Sequence, residues 1–132
     1  MTDTTPSKMR TPLRKVRGLG AAHHGTEHFW LQRLTGIANI PLVCFLIASI
    51  VALLFSDYET ARAYLGNPVV GVLFAALAIS SAIHMRLGMQ VVIEDYIHKQ
   101  PTKAVLLIAN SLIAALIGIA CLYALVRIGL AA

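Results

Sequence analysis

Three apolar runs of nearly membrane-spanning length dominate this chain, and they restrict its fold more than any other feature. A bilayer needs about 20 consecutive apolar residues per helical crossing. Residues 29–55, 69–97 and 104–126 each approach that length, broken by few charged side chains. Hydrophobic residues make up 58% of the 132 residues and charged ones only 13%, with a mean hydropathy of +0.74. A soluble domain is roughly 45–50% apolar and about 25% charged, so a water-exposed chain of this size could not cover its apolar surface. The expected fold class is an all-α integral membrane protein with three transmembrane helices.

The remaining segments arrange themselves around those spans. Residues 1–28 form a polar, basic arm carrying Lys8, Arg10, Arg14, Lys15 and Arg17, with Pro6 and Pro12 opposing regular helix. A basic flank beside a membrane helix points to anionic lipid or a partner protein rather than nucleic acid. The arm lacks the apolar stretch of a secretory signal peptide, so the first helix is expected to act as its own insertion signal. Residues 56–68 read as a polar outer loop, 98–103 as a short inner loop and 127–132 as the outer C-terminus. Six Lys/Arg through Arg33, with Lys99 and Lys103, stand against Arg62 and Arg127 on the other side. The positive-inside rule then places the N-terminus and second loop in the cytoplasm.

Ionisable residues within a span are costly and by default mark function. Arg33 lies early in the first helix, and His84 and Arg86 lie deep in the second. A neutral imidazole there could ligate a b-type haem iron or simply hydrogen-bond a neighbouring helix; spacing alone leaves both open. Gly88 lies one turn from His84, and Asp95 returns to roughly the same face about 16 Å further along the axis, followed by Tyr96. A carboxylate and a phenol at the cytoplasmic mouth suit proton-coupled reduction of a lipid-soluble molecule. They equally suit a solvated helix end and an interfacial aromatic.

Other candidates carry less. Cys44 and Cys121 lie in apolar runs with no metal or haem-attachment spacing. His23, His24 and His28 form an HHxxxH pattern with no cysteine near it and only Glu27 as a carboxylate, a weak metal motif. His98 reads as a solvated or partner-covered residue. Ser111, Ala114 and Gly118 share a face suited to close helix packing, with Asn110 as an interhelical hydrogen-bonder.

The segment His84-Met-Arg-Leu-Gly-Met-Gln-Val-Val-Ile-Glu-Asp95-Tyr96-Ile-His98 resembles the second-helix signature of the small hydrophobic membrane anchor of succinate dehydrogenase (succinate:quinone oxidoreductase), alphaproteobacterial type. The three-helix plan with a basic arm is similar throughout. Arg33-Leu-Thr-Gly resembles the place where that family sets an Arg near the haem propionates. The resemblance implies His84 as one axial ligand of haem b, with the second ligand supplied by a His of another subunit. It implies Tyr96 as hydrogen-bond donor to ubiquinone, Asp95 as its orienter or proton relay, and Arg33 as a propionate partner. Arg86 departs from the expected pattern and would snorkel or add a second propionate contact; Glu94 makes the helix end more acidic than the signature requires.

The family's partners would then be a flavoprotein, an iron–sulfur subunit and a second membrane-anchor (cytochrome b) subunit, forming one helical bundle in the bacterial inner membrane. No nucleotide-binding motif or iron–sulfur cysteine set occurs in this chain, so it would hold no complete active site. Two alternatives stand beside this reading. One is the anchor of a fumarate reductase. The other is a small three-helix transporter or assembly factor with His84, Arg86 and Asp95 in an ion path, which would purify without a b-type spectrum.

Overall fold

Hydrocarbon gives a peptide group no hydrogen-bond partner, so an apolar run must close its own backbone bonds. The computed structural model describes residues 25–131, with side chains for 26–130, and the described residues are helical almost throughout. Helix α1 covers Gly25–Leu53, α2 Tyr58–Gly66, α3 Pro68–Tyr96 and α4 Gln100–Ala131. The three long helices, α1, α3 and α4, are long and apolar enough to cross a membrane. With 29, 29 and 32 residues they are about 44–48 Å long at 1.5 Å per residue, beyond the ~30 Å hydrocarbon core. Their ends therefore reach the headgroup region. The basic residues from Lys8 to Arg17, together with His23 and His24, lie outside the described residues.

Helix α3 is central: α1 and α4 each pack along it in antiparallel fashion and hardly touch one another. Its start is fixed by Asn67, whose side-chain oxygen accepts from the Val69 N–H at 2.9 Å, with Pro68 in the first turn where its missing N–H costs nothing. It ends where the Ile97 N–H donates to the Ile93 carbonyl. The third span begins earlier than hydropathy indicates, because Pro101 is tolerated in a first turn, and it runs on past Arg127. Pro41 sits inside α1 and leaves the Ile37 carbonyl without its helical donor.

The link between the first two spans is not a plain loop. Within 56–68 the chain makes α2, begun by Asp57 and followed by Asn67-Pro68. Asp57 as N-cap, Glu59 in the first turn and the Ala61–Leu65 run are ordinary helix signals that the polarity of the segment obscured. The Thr60 hydroxyl beside Asp57 holds that carboxyl below its usual range. Helix α2 is tied back to the first span by a 2.8 Å hydrogen bond between Ser49 Oγ and Tyr64 Oη, and it also rests on α3 and α4.

The small face of α4 meets α3 directly. Ala114 is buried, Asn110 Nδ2 donates to the Arg86 carbonyl at 2.8 Å, and a Cβ on Gly118 would stand 3.4 Å from Ala82 Cβ. Between membrane helices, apolar burial supplies little attraction, so such close van der Waals approach and interhelical hydrogen bonds hold the pair. Replacing Gly118 by Leu should therefore separate α3 from α4 and cost about 1–3 kcal/mol. Gly129→Leu, where nothing lies within 4 Å, should cost far less; thermal unfolding in detergent compares the two.

Candidate functional site

Where α1 crosses α3, a polar niche forms around His84. The residue lies about 3 Å along the axis from the midpoint of α3, and its ring is partly buried. His84 Nδ1 is 3.1 Å from Thr35 Oγ1, and His84 Nε2 is 3.5 Å from Gln32 Nε2. Thr35 is only 6% exposed; its hydroxyl lies 2.8 Å from the Leu31 carbonyl and 3.1 Å from that of Gln32. Ser80 Oγ donates to the Thr35 carbonyl at 3.3 Å, adding another tie between α1 and α3.

Two glycines make this approach possible. A Cβ on Gly36 would meet His84 Cε1 at 3.3 Å, and one on Gly88 would meet Gln32 Nε2 at 3.4 Å. Two side-chain oxygens on the first span, Gln32 Oε1 and Asn39 Oδ1, are buried with no hydrogen-bond partner. Unpaired amide oxygens in such a setting carry a desolvation cost of about 1–3 kcal/mol each.

Below the niche a groove of about 670 Å³ opens between the start of α1 and the later half of α3, lined by His28, Phe29, Gln32, Arg33, Leu87, Gln90, Val91 and Glu94. The Arg33 guanidinium stacks over the Phe29 ring with its central carbon 4.3 Å from the centroid, a cation–π contact. Arg33 and Gln32 thus bring a cation and an amide into a groove adjoining His84. Glu94 Oε1 accepts from Gln90 Nε2 at 2.8 Å, and the Glu94 carbonyl accepts from Lys103 Nζ at 3.1 Å across the turn between α3 and α4.

Arg86 lies elsewhere. Two residues past His84 is about 200° around a helix, and its Nε donates to Ser111 Oγ of α4 at 3.2 Å. The structure thus gathers His84 and Arg33 on the α1 side of α3 and sets Arg86 on the α4 side. Asp95 and Tyr96 project from the last turn of α3, both exposed, Tyr96 at 76%. They are about 16–18 Å along the axis from His84. His98 Nδ1 lies 3.2 Å from the Tyr96 carbonyl. Among the described residues no group of three or more His, Cys, Asp or Glu could hold a metal ion; the pattern of His23, His24 and His28 extends outside them.

Gln32 and Thr35 are the site residues that sequence reasoning missed. Their signal was present: Gln32, Thr35, Gly36 and Asn39 follow helical spacing and lay a polar, small stripe along one face of an apolar span.

These features describe a three-span helical membrane protein with a histidine niche near the middle of its second long helix. Residues 7–118 match the family model described as Succinate dehydrogenase/Fumarate reductase transmembrane subunit, and the chain belongs to that family. It is 32% identical to the succinate dehydrogenase hydrophobic membrane anchor subunit of Paracoccus denitrificans over 125 residues, covering 92% of this chain and 94% of that one. It is 34% identical to the subunit of the same description from Rickettsia bellii over 103 residues, 78% of this chain and 82% of that one. A succinate dehydrogenase membrane anchor subunit of Reclinomonas americana is 30% identical over 84 residues, 61% and 70% of the two chains. No solved structure matches.

The crossing geometry sets an expectation for its glycines. Gly36→Val should push the His84 ring aside and destabilise the protein by about 1–3 kcal/mol. Gly88→Ala, which meets the movable end of Gln32, should be milder. Melting temperatures of the purified variants in detergent give the order.

Proposed function

We propose that this chain is the membrane anchor of a succinate:ubiquinone oxidoreductase, that it supplies one axial ligand of haem b, and that it forms part of the ubiquinone-reduction site. The observation that carries the reading is the histidine niche at mid-membrane depth, with His84 between α1 and α3 beside an Arg33-lined groove. The residues fit the group: an imidazole whose Nε2 has only a 3.5 Å amide contact, for iron, and a guanidinium whose fork suits a carboxylate. His84 is the axial ligand and Arg33 the propionate partner; Arg86, with exposed donors on the other face, is the lesser propionate candidate. When bound, haem b supplies a one-electron carrier within the membrane. A second ligand would come from a His of a second anchor subunit, a cytochrome b chain that completes the bundle.

Ubiquinone takes up two electrons and two protons to become ubiquinol. Tyr96 donates its phenolic O–H to a quinone carbonyl oxygen, a bond that strengthens as negative charge develops there. Asp95 beside it orients the phenol or passes on a proton. Both residues stand where α3 leaves the membrane, the end at which electrons arrive from an iron–sulfur subunit. The flavoprotein, which oxidises succinate, docks through that same subunit. The location is the bacterial inner membrane, with the N-terminus, Lys99 and Lys103 on the cytoplasmic side.

The test uses the assembled complex. His84→Leu should lose or shift the low-spin b-type absorption. Tyr96→Phe should keep that spectrum and the oxidation of succinate by an artificial dye, while ubiquinone reduction falls roughly ten- to hundredfold, the worth of a hydrogen bond to a charged group. An unaltered spectrum in the first variant, or full quinone reduction at limiting and saturating quinone in the second, refutes the corresponding role. Orientation is checked separately. With Cys44 and Cys121 replaced, a cysteine at Glu59 should react with an impermeant reagent from outside, and one at Lys99 only from the cytoplasm.

A further inference from the structure

We propose that Thr35 is a positioning residue that fixes the tautomer and orientation of His84, placing the ring proton on Nδ1 and keeping Nε2 as the lone-pair nitrogen that would hold iron. The inference rests on the reading of His84 as an axial ligand and extends it to a residue with no role in that reading.

Proton accounting assigns the tautomer. A threonine hydroxyl has one hydrogen to donate and lone pairs to accept with. The Leu31 carbonyl at 2.8 Å and the Gln32 carbonyl at 3.1 Å can only accept, so the Thr35 hydrogen is directed to them. The Thr35 lone pair then faces His84 Nδ1 at 3.1 Å, and that contact is a hydrogen bond only if Nδ1 carries the ring proton. Nε2 is left as the acceptor of a neutral imidazole. The other side of the ring agrees, because the group standing 3.5 Å from Nε2 is the Gln32 amide nitrogen, a donor. The Thr35 contact carries the assignment, and the longer Gln32 contact is compatible with it.

The chain of bonds is also rigid. Thr35 is β-branched and 6% exposed, packed into the crossing with its hydroxyl held by its own helix. The ring edge is limited on the adjoining side by Gly36, where even a Cβ would press on Cε1 at 3.3 Å. An outer partner of this kind orients a ligating histidine and raises its basicity, and its removal typically costs 10–100-fold in metal affinity. A more basic imidazole favours ferric over ferrous iron, so deleting the hydroxyl should move the reduction equilibrium toward ferrous.

The experiment compares Thr35→Val, which keeps the shape and deletes the hydroxyl, with Thr35→Ser, which restores the hydroxyl, in the complete purified complex. The readouts are haem content, a redox titration of the b-type absorption band and the electron paramagnetic resonance spectrum of the ferric haem. Thr35→Val should shift the reduction equilibrium about tenfold toward ferrous, ~59 mV upward for a one-electron couple, with an altered ferric spectrum. Thr35→Ser should return both to wild type. Should Thr35→Val not assemble, Thr35→Ala removes the same hydroxyl while only reducing volume, and it is read in the same way. A wild-type potential and ferric spectrum in the hydroxyl-free variant, or a shift that serine does not reverse, overturns the proposal. His84→Leu run in parallel separates the two levels. If it keeps the wild-type spectrum, His84 is not the ligand and Thr35 has nothing to position; if it loses the spectrum while Thr35→Val is unchanged, the ligand stands and the positioning role fails.

Discussion

An imidazole in the middle of a membrane helix cannot be left without partners, and the rest of this molecule is arranged around giving it some. The contacts run from His84 to the Thr35 hydroxyl and on to the Leu31 carbonyl. Because the hydroxyl is itself anchored to α1, the contact fixes how far α1 can slide along α3. A shift by one helical turn, about 5.4 Å, would put Leu31 and Gln32, or Ala38 and Asn39, where Thr35 stands and take its hydroxyl from the ring. The His84–Thr35 contact, the Ser80 bond to the Thr35 carbonyl and the close approach at Gly36 and Gly88 together define the register of this crossing. The apolar contacts could be made equally well in several registers, since lipid tails resemble leucine as a solvent.

Helix α3 separates its tasks by rotation rather than by length. His84 faces α1, and Arg86, two residues on, faces α4 and donates to Ser111 while Asn110 caps its carbonyl. The α4 side thus uses its polar groups in helix–helix bonds. On the α1 side Gln32 Oε1 and Asn39 Oδ1 remain without partners, and His84 Nε2 meets only a long amide contact. Stable packing on one face and unsatisfied polar capacity on the other is the pattern expected where a site is to be completed by another component.

How much of this was legible in the sequence differs with scale. The three spans were plain because twenty-residue apolarity has almost one physical outcome. His84 was plain because an ionisable residue at that depth is rare, and the small face of Ser111, Ala114 and Gly118 could be read from helical spacing. Helix α2 was obscured by a loop-like composition, although Asp57 and Glu59 were there to start it. The direction of Arg86 could not be read, because a 100° step per residue locates it relative to His84 but not relative to a neighbour whose side is unknown. Thr35 stands inside the Arg33-Leu-Thr-Gly motif, where the charged residue draws the attention. A hydroxyl in an apolar run usually back-bonds to its own helix; only the position of α3 reveals that it has a second partner.

The interior is sparse. Among the described residues only Leu77, Leu87, Ile93 and Ala114 form a buried apolar core, while Trp30, Ile37, Ile40, Leu112 and Leu116 are among many large apolar side chains left open. Three helices in which α1 and α4 both lean on α3 make a sheet-like layer rather than a closed bundle, and a layer has two faces. Lipid can cover an apolar face at no cost, but it cannot satisfy a buried amide oxygen. The niche at His84 therefore demands more of its surroundings than the apolar exterior does. On the proposed reading that demand is met by haem and a second anchor chain together. Assembly of the bundle and completion of the haem site would then be one event, in which the polar groups of α1 obtain their partners only when the neighbouring chain arrives.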